Sequence, residues 1–178
     1  MGMSTVIDGS ASVTINSGAV LGITSGTAVA STSGTSINFT GIPSWVKRIT
    51  VMFAGVSLSG TAGLALQIGS GSIETSGYAG STGTGNPQTG AGAWPTDRMT
   101  LQVNAVAAQT NHGLVTLVTV GSNIWVESGT VGGSATDRSG NISTYTKTTS
   151  GTLDQIRITT TNGTDTFDAG TVNIMYEG

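Results

Sequence analysis

The chain holds one histidine, His112, so a hydrolytic triad would have to be built on it. No Gly-x-Ser-x-Gly elbow accompanies it, and it stands at the start of a strongly apolar run, where a structural hydrogen bond or a subunit contact accounts for an imidazole. With no cysteine in the chain, a metal site would need a ring of His112 side chains from several subunits. The nine carboxylates are scattered, and the only close pair is Asp165 and Asp168. A calcium loop wants about six oxygen ligands in a tight run, so this pair reads as turn capping before a final strand. Gly69 to Gly71 and Gly83 to Gly85 lack the spacing of a dinucleotide turn, and no Gly-Lys-Ser/Thr phosphate loop exists. These residues imply a protein that is not an enzyme, with no cofactor and no metal.

Aromatic side chains are the remaining candidates, since a ring with a polar edge serves sugars and protein partners alike. Tyr78 and Trp94 flank a stretch from Gly80 to Gly92 that has no charge and no aliphatic residue larger than Ala, which reads as an exposed loop. Tyr78, Trp94 and Trp125 are therefore expected as glycan or subunit contacts, while Trp45, just after Pro43, is expected in the core.

The elements that must position these groups are strands. Glycine, Ser and Thr recur throughout, helix formers are scarce, and apolar residues alternate with period two. Ile49, Val51 and Phe53 share one face, as do Ile156 and Ile158, then Val172, Ile174 and Tyr176; Ile124 and Val126 share a face opposite Trp125. From His112 to Val120 apolar groups fall on both faces, which predicts a central strand covered on both sides. Shorter strands are expected at Ser12 to Ile15, Thr35 to Phe39, Leu64 to Ile68, Met99 to Val106 and Ser143 to Thr148. Roughly ten strands separated by turn clusters predict an all-β fold, a two-sheet antiparallel sandwich of jelly-roll type.

Residues 1–34 are simpler, with isolated apolar residues (Val6, Ile7, Val13, Ile15, Val20, Leu21, Ile23) among Ser, Thr, Gly and Ala. They are read as an extended N-terminal anchoring arm ahead of a sandwich domain at 35–178. The start of the chain lacks a cationic segment before an apolar run, and no stretch reaches about 18 consecutive apolar residues, so neither a secretory signal nor a membrane span is expected.

Composition says where such a sandwich works. Charged residues make up 8% of the chain against about 25% in ordinary domains. A surface of Ser, Thr, Gly and Asn lacks the mixed charges that keep monomers apart, and charge depletion is a mark of surfaces covered by partner chains. Edge strands without Lys or Pro point the same way, toward a homo-oligomer. Six Lys and Arg with a net charge of −3 argue against nucleic acid.

Four segments carry a resemblance. Thr35 to Ser57, with its run Ile42-Pro43-Ser44-Trp45-Val46-Lys47-Arg48-Ile49-Thr50-Val51-Met52, then Ile73 to Tyr78, Leu153 to Thr160 and Phe167 to Glu177 together resemble a module of tailed-bacteriophage virion proteins, often the C-terminal part of tail fibres. About 34 residues of arm are too few to build a fibre shaft even when fully extended. The resemblance therefore implies a capsid decoration or cement protein, or a short head fibre. It would be a homotrimer on the particle exterior, assembled in the host cytoplasm and held to other virion proteins by the arm. The alternative it implies is a tail-fibre tip that recognises host cell-surface glycans through Trp94, Tyr78 and the 80–92 loop.

Overall fold

A computed structural model describes residues 22–84, 94–103, 105–107, 109–134 and 140–178, together with the backbone of 14–15 and 18–19. The strands are β1 (Thr14–Ile15), β2 (Gly18–Ala19), β3 (Thr24–Ser25), β4 (Val29–Ala30), β5 (Ser36–Thr40), β6 (Arg48–Leu58), β7 (Leu64–Ser70), β8 (Ser72–Ile73), β9 (Tyr78–Thr84), β10 (Met99–Thr100), β11 (Asn111–Gly121), β12 (Ile124–Gly133), β13 (Gly140–Thr148), β14 (Gln155–Thr160) and β15 (Phe167–Glu177). No helix occurs among the described residues.

Two antiparallel sheets face each other, and β1 and β2 pair separately as a two-stranded ribbon. The larger has eight strands in the order β3-β15-β6-β11-β12-β13-β9, with β4 also on β15; the smaller has five, in the order β10-β7-β14-β5, with β8 on β7. The late strand β14 lies between β5 and β7, and the β11–β13 meander lies between β6 and β9. This insertion of late strands between early ones is the Greek-key crossing of a jelly-roll sandwich. The core is the alternate residues of both inner faces: Ile49, Val51 and Phe53 from β6, Leu64, Leu66 and Ile68 from β7, Ile156 and Ile158 from β14, Val172 and Ile174 from β15, all buried. Trp45 packs on its margin, its ring 5.8 Å from that of Tyr176.

The structure corrects four expectations. The arm is not separate over its last third, because β3 and β4 pair with β15 and Ser31 is fully buried, its Oγ donating to the carbonyl of Ala169 at 2.7 Å. Apolar residues in a simple sequence can still complete a sheet edge, which needs backbone groups more than side chains. The expected loop begins later than Gly80, since β9 runs to Thr84; residues 85–92 of that loop lie outside the described residues. Among the described residues of the strand expected from Met99 to Val106, the strand covers Met99–Thr100, with the Leu101 amide still donating to the Leu64 carbonyl at 2.9 Å. Finally, β11 is covered on one face only: Val115 and Leu117 are buried, whereas Leu114, Val118 and Val120 face outward and are exposed.

Glycine shapes the seam between β6 and β15. Gly55 and Gly170 have φ of +69° and +96°, the register shifts on both sides of Ala169, and a Cβ on Gly170 would lie 2.3 Å from the Gly55 carbonyl oxygen. Gly170→Ala is expected to cost about 2 kcal/mol through backbone strain and that contact. Urea denaturation measures it; an unchanged midpoint would show that the seam tolerates a side chain.

Candidate functional site

The residues singled out in the sequence do not come together. Tyr78 is buried between the sheets, its hydroxyl accepting from the Ile68 amide at 2.8 Å and lying 3.0 Å from the Ile68 carbonyl and 2.8 Å from that of Glu74. Burial pushes that hydroxyl up to about 12, against the lowering effect of the Ile68 bond and helped by the charges of Glu74 and Asp97. Trp125 is buried as well, in the core that it shares with Leu117 and Tyr145. Neither ring can meet a ligand or a subunit. Trp94 does reach solvent. Val6, Ile7, Val13, Val20 and Leu21 lie outside the described residues; Ile15 is placed only as backbone of β1, and Ile23 is exposed.

His112 is exposed on β11, and its Nδ1 accepts from the Gly55 amide at 3.2 Å, a structural bond across the strand pair. Asp165 accepts from the Ala62 amide at 2.9 Å, in a turn where the Asn162 side chain accepts from the amides of Thr164 and Asp165. The Asn162 and Ala62 hydrogen bonds hold its carboxyl below the usual range. Among the described residues there is no group of three or more His, Asp or Glu side chains that could hold a metal ion.

What the structure assembles instead is a surface. The register of the eight-stranded sheet lines up three rows on its outer face: Met52, Leu114, Thr130 and Ile142; Thr50, Thr116, Ser128 and Thr144; Arg48, Val118, Val126 and Thr146. Leu114 and Ile142 are 57% and 56% exposed, Val118 and Val126 about two-fifths, and Val120 extends the patch at 67%. Apart from Met52 and Arg48, the rest of the rows is hydroxyl, with Thr50 buried among them. The charges in these rows are confined to one margin, where Arg48 meets Glu177 at 3.2 Å. Beside Leu114, the small residues Gly113, Gly129 and Gly132 leave a shallow hollow of about 620 Å³. Covering these five half-exposed side chains completely is worth about 10 kcal/mol at roughly 25 cal/mol per Å² of apolar area.

The inner face behind this surface is unexpectedly polar. Opposite the outward Val126 and Ile142 stand Glu127, Asn141 and Ser143, all buried. Here the larger sheet is met by the segment after β10, whose backbone and glutamines need partners. Gln102 donates to Asn111 at 2.8 Å and to Gln109 at 3.0 Å, and the Val103 amide donates to Asn141. Glu127 is completely buried; one oxygen accepts from Ser143 at 2.6 Å and the other has no hydrogen-bond partner among the described residues. Burial pushes its carboxyl up to about 7, more than the Ser143 and Tyr145 hydrogen bonds lower it.

Further along β13, the buried Lys147 donates to Glu74 and to the Thr148 carbonyl, with its ammonium 5.5 Å from the Tyr78 ring centre. Glu74 also accepts from the amide and hydroxyl of Ser150, both at 2.8 Å. Burial raises the Glu74 carboxyl, but the hydrogen bonds from Lys147 and Ser150 and the lysine charge outweigh it, leaving it below its ordinary value. This clamp ties the two sheets together at one end. In the sequence, Glu74 and Lys147 give no sign of each other, because only the sandwich brings them within reach.

Comparisons with protein-family models, with curated protein sequences and with solved structures find no match to this chain.

Proposed function

We propose that the chain is a non-enzymatic structural protein of a bacteriophage virion, a capsid decoration or cement protein or a short head fibre, that works by lying against other protein chains. One observation carries the contact role: the outer face of the eight-stranded sheet is broad, apolar and hydroxylic, with its charges at one margin. A monomer exposed to water gains nothing from Leu114, Val118, Val126 and Ile142 in one patch, whereas a partner sheet covers all four. The partner that fits is a second copy of the same chain, since hydroxyl rows and branched aliphatics on one copy complement the same rows on another. The phage setting rests on the resemblance of residues 35–57, 73–78, 153–160 and 167–177. With β3 and β4 committed to their own sheet, anchoring to the shell falls to the residues up to Ile23.

An electron-microscopy map of the particle tests this reading. Density for the sandwich is expected as oligomers over the capsid lattice. Density at the tail tip would overturn the capsid role, and absence of the chain from purified particles would overturn the virion role.

A further inference from the structure

The outer face of the five-stranded sheet is built differently. Asn38, Arg157 and Gln67 lie side by side across β5, β14 and β7, and Ser36, Thr159, Ala65 and Thr100 form the next row. Ser36, Gln67, Arg157 and Thr159 of these rows line a groove of about 400 Å³ that Asp97 and Arg98 also border. A second hollow of about 420 Å³ shares Arg98 and Thr161 with it and is bordered by Trp94 and Pro95. With Arg98 and Thr161 lining both, the two hollows are neighbours and together make a trough.

Its polar groups are partly unspent. Arg157 Nε donates to Asn38 at 2.9 Å, and no carboxylate lies within ion-pair distance of its guanidinium among the described residues. Arg98 is paired with Asp97 through Nη1 at 2.7 Å, while its buried Nε has no hydrogen-bond partner among the described residues. The buried Thr100 Oγ1, beneath the second hollow, also lacks one among the described residues. Gln67 donates to the Asp97 carbonyl at 2.9 Å, which fixes the wall. Asp97, Arg98 and Arg157 are the charged residues lining the trough, leaving an excess of one positive charge.

We propose that this trough binds a carboxylate-bearing saccharide. Arg157 takes the carboxylate, since a guanidinium fork matches its two oxygens. The threonine hydroxyls and Asp97 take sugar hydroxyls, and the Trp94 indole takes the apolar face of a ring. Two cations with no basic stripe beyond them do not fit a nucleic-acid backbone. The site lies on the sheet opposite the association face, so the inference stands apart from the assembly reading: a monomer that bound acidic sugar would overturn that reading and leave this one intact.

Calorimetric titration of the full chain with sialyllactose, tri-galacturonate and neutral lactose tests it, the two acidic probes separating a sialic-acid ligand from a uronic-acid one. At least one acidic probe is expected to bind and lactose to bind far more weakly. Arg157→Gln should weaken binding about tenfold, the loss of one charge-assisted contact. Trp94→Ala, at a side chain that reaches solvent, should weaken it by roughly fivefold with circular dichroism unchanged. Failure of both acidic probes, equal binding of lactose, or full affinity in Arg157→Gln with circular dichroism unchanged would overturn the proposal.

Discussion

Glu127→Gln is expected to stabilise the protein by about 3 kcal/mol at pH 8 and to have little effect at pH 4. The carboxyl is fully buried, with one oxygen unpartnered among the described residues, and its value of about 7 in the fold compares with 4.5 in an exposed chain. Below pH 4.5 it is protonated in both states and costs nothing. As pH rises toward 7, only the unfolded chain ionises freely, so stability falls by about 1.4 kcal/mol per pH unit and then levels off. Glutamine keeps the shape and an acceptor for Ser143 but never ionises. Urea melts of both proteins from pH 4 to 8 check this. Parallel curves would show that Glu127 does not titrate in this range.

Lys147→Met is expected to cost about 3 kcal/mol, because it leaves the Glu74 carboxylate in a largely covered site without its cation. Ser150 continues to serve one oxygen, which keeps the loss below that of an isolated buried charge. The same pairing gives an acid limb. A carboxyl held below its ordinary value adds stability that is present above pH 4.5 and is lost as pH falls through its value in the fold. The double variant Glu74→Leu/Lys147→Met should recover most of the loss, since an apolar pair replaces a buried ionic one at little cost. No recovery would assign the effect to lost packing on Tyr78.

The strands that bury one plain apolar stripe were legible. Period two in Ile49, Val51 and Phe53, or in Ile156 and Ile158, states both the strand and its inner face, because the opposing sheet offers only hydrocarbon there. Around β12 and β13 the same rule fails in parity. A period-two pattern tells which residues share a face, not which face is inside, and here the cover is a segment with polar groups of its own. Glu127, Asn141 and Ser143 therefore point in while Val126 and Ile142 point out, and Trp125 goes to the core with the polar set. The both-sided apolar character of β11 was real, but no layer of the described chain covers its second face, where Leu114, Val118 and Val120 are exposed. The trough escaped sequence reading for another reason: Asn38, Gln67 and Arg157 come from three distant strands that only register brings side by side.

Sedimentation equilibrium of the wild-type chain beside Val118→Lys/Val126→Lys tests the association face most directly, since these two exposed, register-paired valines lie within it and add like charges on copies that would meet. The wild type is expected as a stable oligomer at about 10 μM, and the variant as a monomer with an unchanged circular dichroism spectrum. A wild-type monomer at about 100 μM, or a variant that assembles as well as the wild type, would contradict a role built on contact through this face.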